Sequence, residues 1–518
     1  MPGLLDKTVK NSVFVTAGAV AQFGLSLLFA GLTIRYLGIE RAGFFMALQA
    51  LLGINSLVGG QAFRGAAIQR LASLAGQGDW SACRQVVGTL VTMNAVLGGV
   101  LALVLMVSFP WVFPWSKLAL TFKEDALWTT VVVALTFFTD QVAGAYRVTY
   151  DSRQRFDLVS FNSTVFGFLQ NMVRLSVLKL CPTMSAVALG GFVVNLLWLA
   201  YDCRLVSNLL SGWVRPSWYW PHLRPMLRLS CWGWLAYTAG FLYDNLDRIV
   251  LTSFLGSAAL PYYALPHRFA LNLHAMLSSQ LYFIFPMFAG SAADPKTTIR
   301  GVEDRLRWFV SAASCSLFGA LALVGPWGMS VLVGSEFAGK ATLPLYLACL
   351  YGCVHSQQIV YFYSTWAVGS PAPNVVSDAI AAICIIVSAC FLIPPLGFIG
   401  ANVAHLWRLP YIVVHTYWCR RVLGISGTVL SVWRPYMSPI LATGAWLAVA
   451  NLLTLHVPAA SVWSAAVGVG SAPIAFLILW LMEERLWPDA ARWQTAREAA
   501  ALLARKFGMR LGSVFKTV

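Results

Sequence analysis

The sequence predicts an all-α polytopic membrane protein with about 14 transmembrane helices. Three observations carry that reading. First, 58% of its 518 residues are hydrophobic and 11% charged, with a mean hydropathy of +0.70. Soluble domains carry about 25% charged residues, so a bilayer must be the main solvent. Second, apolar runs recur at lengths near the roughly 20 residues that cross the hydrocarbon core. Third, the basic residues fall between those runs, and alternate runs are flanked by many or by few of them.

The spans lie near residues 11–34, 43–62, 86–112, 126–148, 158–180, 185–208, 230–255, 259–288, 308–333, 341–367, 374–395, 397–419, 434–455 and 461–483. Helix is the only regular structure that satisfies backbone groups inside one lipid-exposed segment, and the alternating ten-residue pattern of an outer-membrane barrel is lacking. The first run is too long for the apolar region of a signal peptide and has no small-residue cleavage site, so it is expected to be retained. Cys349 and Cys353 stand four apart on one helix without histidines at zinc spacing, a pattern of small-residue packing. No metal or cofactor is expected.

With the N-terminus in the cytoplasm, the inside segments hold Arg64, Arg70 and Arg84, then Arg147, Arg153 and Arg155, then Arg204, Arg215, Arg224 and Arg228. Further on come Lys296, Arg300, Arg305 and Arg307, then Arg420, Arg421 and Arg434. The outside segments hold only Arg35, Arg41, Lys117, Lys123, Lys179 and Lys340. That asymmetry places both termini inside an inner (plasma) membrane, with an even span count. It also accounts for the net charge of +16 without nucleic acid. Short outside segments leave no room for an external catalytic domain, so no enzyme is expected.

An internal echo divides the chain. Arg35-Tyr36-Leu37-Gly38 closes the first span and Gly43-Phe44-Phe45 opens the second; Ser253-Phe254-Leu255-Gly256 and Pro261-Tyr262-Tyr263 do the same at the seventh and eighth. Both turns point outward, so the halves are parallel repeats. The expected organisation is residues 1–210 as a first lobe, 211–228 as a cytoplasmic linker and 229–422 as a second lobe. Residues 423–484 form two further helices. Residues 485–518 form a basic amphipathic tail on the anionic inner leaflet.

These motifs carry a resemblance. Arg35-Tyr36-Leu37-Gly38-Ile39-Glu40-Arg41-Ala42-Gly43-Phe44 resembles the first hairpin of polysaccharide-type (Wzx-like) flippases of the multidrug, oligosaccharidyl-lipid and polysaccharide exporter superfamily. Asp247-Arg248 with Leu255-Gly256 and Tyr262, and Pro394-Pro395-Leu396-Gly397-Phe398-Ile399-Gly400-Ala401, resemble later parts of the same family. Pro261 departs from it, standing where the family often has Gly. The resemblance implies two six-helix lobes around a central cavity, with two peripheral C-terminal helices. It implies movement of polyprenyl-diphosphate-linked oligosaccharide to the outer leaflet by alternating access. Its expected partners are membrane lipids, H+ or Na+ as coupling ion, and the glycan polymerase and chain-length machinery.

The residues offer candidates independently of the family, because an ionisable group at membrane depth is expensive. Counted at about 1.5 Å per residue, Arg174, Asp244, Asp247, Arg248, His267 and Arg268 converge on the outer half of the bilayer. Arg174, Arg248, Arg268 and Arg408 are candidates for gripping a diphosphate or acidic sugar, since a guanidinium bonds phosphate oxygens two at a time. Asp140, Asp244, Asp247, His267, His274 and His355 are candidates for ion coupling. Structural alternatives stay open: Asp244 and Arg248 are spaced to pair along one helix, Arg174 and Arg268 to snorkel, and each histidine to serve as a hydrogen-bonded core residue. A cation-coupled small-molecule exporter and a membrane glycan polymerase or ligase remain the competing functions. Four intramembrane arginines disfavour the first, and short external loops disfavour the second.

Overall fold

The computed structural model describes residues 24–52, 60–153, 155–229, 231–281, 295–425, 429–454, 457–472 and 478–479. The first part of the predicted first span and the whole basic tail lie outside them. Among the described residues the chain is helical, without strands. The helices are α1 (Gly24–Leu37), α2 (Ile39–Leu52), α3 (Gly60–Gly76), α4 (Trp80–Trp115), α5 (Lys123–Ser152), α6 (Phe156–Leu180) and α7 (Met184–Leu209). They continue as α8 (Trp220–Leu229), α9 (Cys231–Leu255), α10 (Leu260–Leu281), α11 (Pro295–Leu332), α12 (Ser335–Ser356) and α13 (Ile359–Ala367). The last are α14 (Ala372–Leu396), α15 (Phe398–Ala404), α16 (Arg408–Val422), α17 (Val429–Leu453) and α18 (Val462–Gly470).

Seven described helices are long and apolar enough to cross a membrane. Helices α6 and α9 are not among them, although each has 25 residues. They carry Asp157, Arg174 and Lys179, and Asp244, Asp247 and Arg248. Arg174, Arg248 and Arg268 thus lie on helices outside the seven, whereas Asp140 lies on α5, which is among them.

Two predicted spans are interrupted. The run 341–367 is divided at Ser356–Gln358 into α12 and α13, and the run 397–419 contains a 3-10 turn, His405–Trp407, between α15 and α16. Such a turn inside a helix frequently marks strain or function. The predicted linker is not plain loop, because its C-terminal part forms α8. Leu223 and Met226 are buried there in one cluster with Val86, Val87, Leu90 and Tyr146. The Ser217 N–H donates to the Gly88 carbonyl at 3.2 Å, and the Tyr219 N–H to Thr89 Oγ1 at 3.3 Å.

Packing divides the chain into two compact units that do not follow chain order: residues 1–276, 329–348 and 371–411 form one, and residues 277–328, 349–370 and 412–518 the other. In the first unit, the echoed turns share one backbone form. Gly38 has φ +82° and Gly256 φ +86°, a left-handed region where a Cβ is strained. The Gly256 turn is stitched to the α4–α5 connection. Ser257 N–H donates to the Ser116 carbonyl at 2.6 Å, and Lys117 Nζ donates to the Phe254 carbonyl at 2.6 Å. Tyr262 stacks on Phe337 and Phe398, with ring centroids 4.8 and 5.3 Å apart. In the second unit, Trp308, Ala442 and Leu479 form an apolar cluster, and Trp446 Nε1 donates to the Gly468 carbonyl at 3.0 Å.

Candidate functional site

Three predicted arginines come together in the first unit. Arg174 projects from α6, Arg248 from α9 and Arg268 from α10. Arg174 and Arg268 are close enough for their charges to interact, as are Arg268 and Arg248. The Arg174 guanidinium lies 5.6 Å from the centre of the Phe29 ring on α1. It also rests against Gly191 of α7, where any Cβ would overlap its nitrogens. A glycine is therefore needed there for Arg174 to hold this position. Nε of Arg174 and Nε of Arg248 are buried without a hydrogen-bond partner among the described residues. None of the three arginines forms an ion pair with a described carboxylate. Arg174 with Arg268, and Arg268 with Arg248, are like-charged neighbours where water is scarce, and Arg248 also lies near the Asp247 carboxylate. Their arrangement suits a ligand that carries several negative oxygens.

Arg408, also predicted to face substrate, belongs to a different group. It is 2% exposed, and its charge acts on His405, His267 and His274. Beside it lies a buried polar cluster built by α9, α10 and the 3-10 turn after α15. Asp247 Oδ2 stands 2.8 Å from His405 Nε2 and accepts a bond from the Tyr263 hydroxyl. The same hydroxyl is 2.9 Å from His405 Nε2 and 3.2 Å from His267 Nδ1. Asp247 Oδ1 accepts the Arg248 backbone N–H at 2.7 Å. The four side chains come from residues no more than 1% exposed.

The other ion-coupling candidates lie elsewhere. Asp140 pairs with Arg147 at 3.1 Å, and Arg147 also bonds Asp202 at 2.9 Å. Tyr150 donates to Asp202 at 2.7 Å, and the Arg147 guanidinium sits 3.8 Å from the centre of the Trp198 ring. Asp140 is thus part of an arginine-centred polar bridge. His274 is half-buried near Arg408. His355, in the second unit, has Nδ1 3.0 Å from Gln358 Nε2. The Asp244 side chain lies outside the described residues, and so does any pairing it makes with Arg248.

Tyr263 and His405 complete the Asp247 cluster. Tyr263 sits one turn before His267, the i, i+4 relation that puts two side chains on one helix face. His405 is distant in sequence and announced only by its depth. A second group is missing from the sequence-based reading altogether. Glu303 accepts from Arg307 at 3.0 Å, from Arg420 at 2.9 Å and from the Tyr361 hydroxyl, while Arg307 Nε donates to Tyr436 at 3.1 Å. Arg307 and Arg420, expected among the topology-setting charges of inside segments, are 1% and 7% exposed. Glu303 accepts from both guanidinium groups and Tyr436 accepts from Arg307, so protein groups take the place of water around these charges.

Among known proteins, a family model described as "Polysaccharide biosynthesis protein" matches residues 73–341, more than half of the chain. The chain belongs to this polysaccharide biosynthesis protein family. No curated protein matches this family member by sequence. Several solved structures share its fold. The lipid II flippase MurJ in an inward closed conformation superposes with a TM-score of 0.74 at 10% identity, covering 92% of this chain and 99% of MurJ. An inward-facing multidrug resistance MATE family transporter of the MOP superfamily gives 0.61 at 12% identity, covering 80% and 98%. A MOP superfamily transporter from Pyrococcus furiosus, described as having a binding pocket of reverse polarity, gives 0.58 at 12% identity, covering 81% and 97%. This polysaccharide biosynthesis protein is therefore an all-α multi-pass membrane protein with the fold of those transporters.

Proposed function

We propose that the protein is a flippase that carries polyprenyl-diphosphate-linked oligosaccharide from the cytoplasmic to the outer leaflet of the inner membrane. It works by alternating access between two lobes, residues 1–210 and 229–422, with both termini cytoplasmic. The observation that carries this reading is the group of Arg174, Arg248 and Arg268, brought together from three helices without a described acidic partner. A diphosphate offers several oxygens to such a group, and planar guanidinium forks bond them in pairs. Membership of a polysaccharide biosynthesis family and the transporter fold support the same substrate class. The arginines also weigh against a cationic drug as cargo. The downstream partners are the enzymes that polymerise the exported glycan.

The test is genetic and biochemical together. Deletion of the gene is expected to abolish the surface polysaccharide and to leave its lipid-linked precursor in the cytoplasmic leaflet. Arg174→Ala and Arg268→Ala are expected to restore little or no glycan while inserting at normal levels. Gly191→Ala should impair export less than Arg174→Ala, because its methyl group shifts the guanidinium it now touches without removing it. Normal glycan in the deletion strain, or full complementation by both arginine variants, would reject the reading.

A further inference from the structure

We propose that Asp247, Tyr263, His267 and His405 form a proton-binding site whose proton is the coupling ion of transport. The proposal rests on the flippase reading and deepens it by naming the ion and the residues that bind it.

The donor set selects the ion. Hard metal cations are bound by shells of about six oxygens. This cluster offers one carboxylate, one phenol and two imidazoles, all buried and already bonded to one another. The guanidinium groups of Arg248 and Arg408 are near enough to act on both histidines, so a further metal charge meets two fixed positive ones. A proton needs no coordination shell. It needs a titratable pair at hydrogen-bond distance, and His405 Nε2 lies 2.8 Å from Asp247 Oδ2. Imidazole is the side chain whose charge changes near neutral pH.

Among the described residues, five charged or titratable groups act on Asp247 or on the two histidines beside it. Tyr263 and His267 come from α10, His405 from the 3-10 turn, and Arg248 from α9 itself. Arg408 of α16 reaches the two histidines. Asp378 of the neighbouring α14 is already bonded by Tyr411 at 2.5 Å. One proton added to this set is shared between the Asp247 carboxylate and the His405 imidazole, so the pair titrates as a unit. It comes from water and returns to water, and no bond other than the one to hydrogen changes.

The site is placed to act on access. Ionised Asp247 accepts from α10 through Tyr263 and from the turn before α16 through His405, which ties three helices together. About two helical turns farther along α9, the hairpin that joins α9 to α10 makes the Ser257-to-Ser116 and Lys117-to-Phe254 bonds. Proton uptake cancels the net negative charge of the Asp247–His405 pair, which changes the pull on the Tyr263 hydroxyl of α10, and the hairpin after α9 links that change to the seam. At His405 the chain passes into a 3-10 turn, and this turn places the fully buried imidazole against Asp247 and Tyr263.

The experiment uses the full-length protein in two formats. In the first, infrared difference spectra are recorded between about pH 4 and pH 9, a range that brackets ordinary carboxylate and imidazole titration. We expect a carboxyl band that Asp247→Asn removes and whose midpoint moves by about one pH unit or more in His405→Gln and in Tyr263→Phe. In the second, protein in vesicles flips a fluorescent polyprenyl-diphosphate oligosaccharide under an imposed proton gradient or sodium gradient. We expect the wild-type rate to follow the proton gradient by about tenfold, and the Tyr263→Phe rate, which keeps the ring, to respond less. Identical spectra in wild type and Asp247→Asn, or flipping that follows sodium, would overturn the proposal. A persistent Asp247 band with no flipping of any lipid-linked glycan would keep the proton site and reject the flippase reading instead.

Discussion

Glu303 and Asp247 are both buried carboxylates that accept a bond from a tyrosine, yet different cations stand beside them. Two guanidinium groups, Arg307 and Arg420, bond Glu303 directly. Asp247 is bonded by His405, and the Arg248 charge lies near enough to act on it. A guanidinium does not release its proton at any physiological pH, whereas an imidazole titrates there. The first arrangement is a permanent clamp that fixes α11, α13 and α16 against one another. The second can be switched by a proton. Burial of an acid is therefore an incomplete guide to its role, and the identity of the base beside it decides between them.

The contrast can be broken most forcefully at the clamp. Glu303→Ala leaves Arg307 and Arg420 buried without their acceptor, and removing one partner of a buried ion pair costs about 3–5 kcal/mol. Thermal unfolding in detergent at neutral pH should show that loss; a cost within about 1 kcal/mol would mean that the clamp is solvated. Asp247→Asn keeps the shape and a hydrogen-bonding oxygen, so its cost should be smaller, about 1–3 kcal/mol. Its distinguishing mark is a dependence of unfolding temperature on pH that changes together with that of His405→Gln, because the two residues titrate as a pair. Asp140→Asn provides the lower bound. Arg147 retains Asp202 and Trp198, and Asp140 has a side chain 41% exposed, so the effect should stay below about 1 kcal/mol. A larger loss would show that Asp140 carries more of the bridge than its exposure suggests.

Much of the fold was legible because bilayer physics writes it in long apolar runs. The predicted runs 158–180, 185–208 and 230–255 agree with α6, α7 and α9 within a few residues. The breaks at Ser356–Gln358 and His405–Trp407 were not legible, since hydropathy is blind to which residues leave the helical ladder. The arginines were legible one by one, because charge at membrane depth stands out. Their gathering depends on which faces of α6, α9 and α10 meet, and periodicity alone does not report that. Tyr263 stayed hidden for the same reason, and His405 was visible only by its depth; each gains its meaning beside Asp247. Glu303 and Arg307 were hidden by a rule that usually works. Basic residues flanking a span count toward topology, and these are buried.

The most direct test of the central claim is binding of polyprenyl diphosphate to the purified protein, followed by its effect on unfolding temperature. Ligand at about 100 times its dissociation constant stabilises the folded state by about 2.7 kcal/mol. That stabilisation is expected for wild type, with its loss in Arg174→Ala and Arg268→Ala and a weaker response to polyprenyl monophosphate. Equal stabilisation of wild type and both variants by the diphosphate would contradict it.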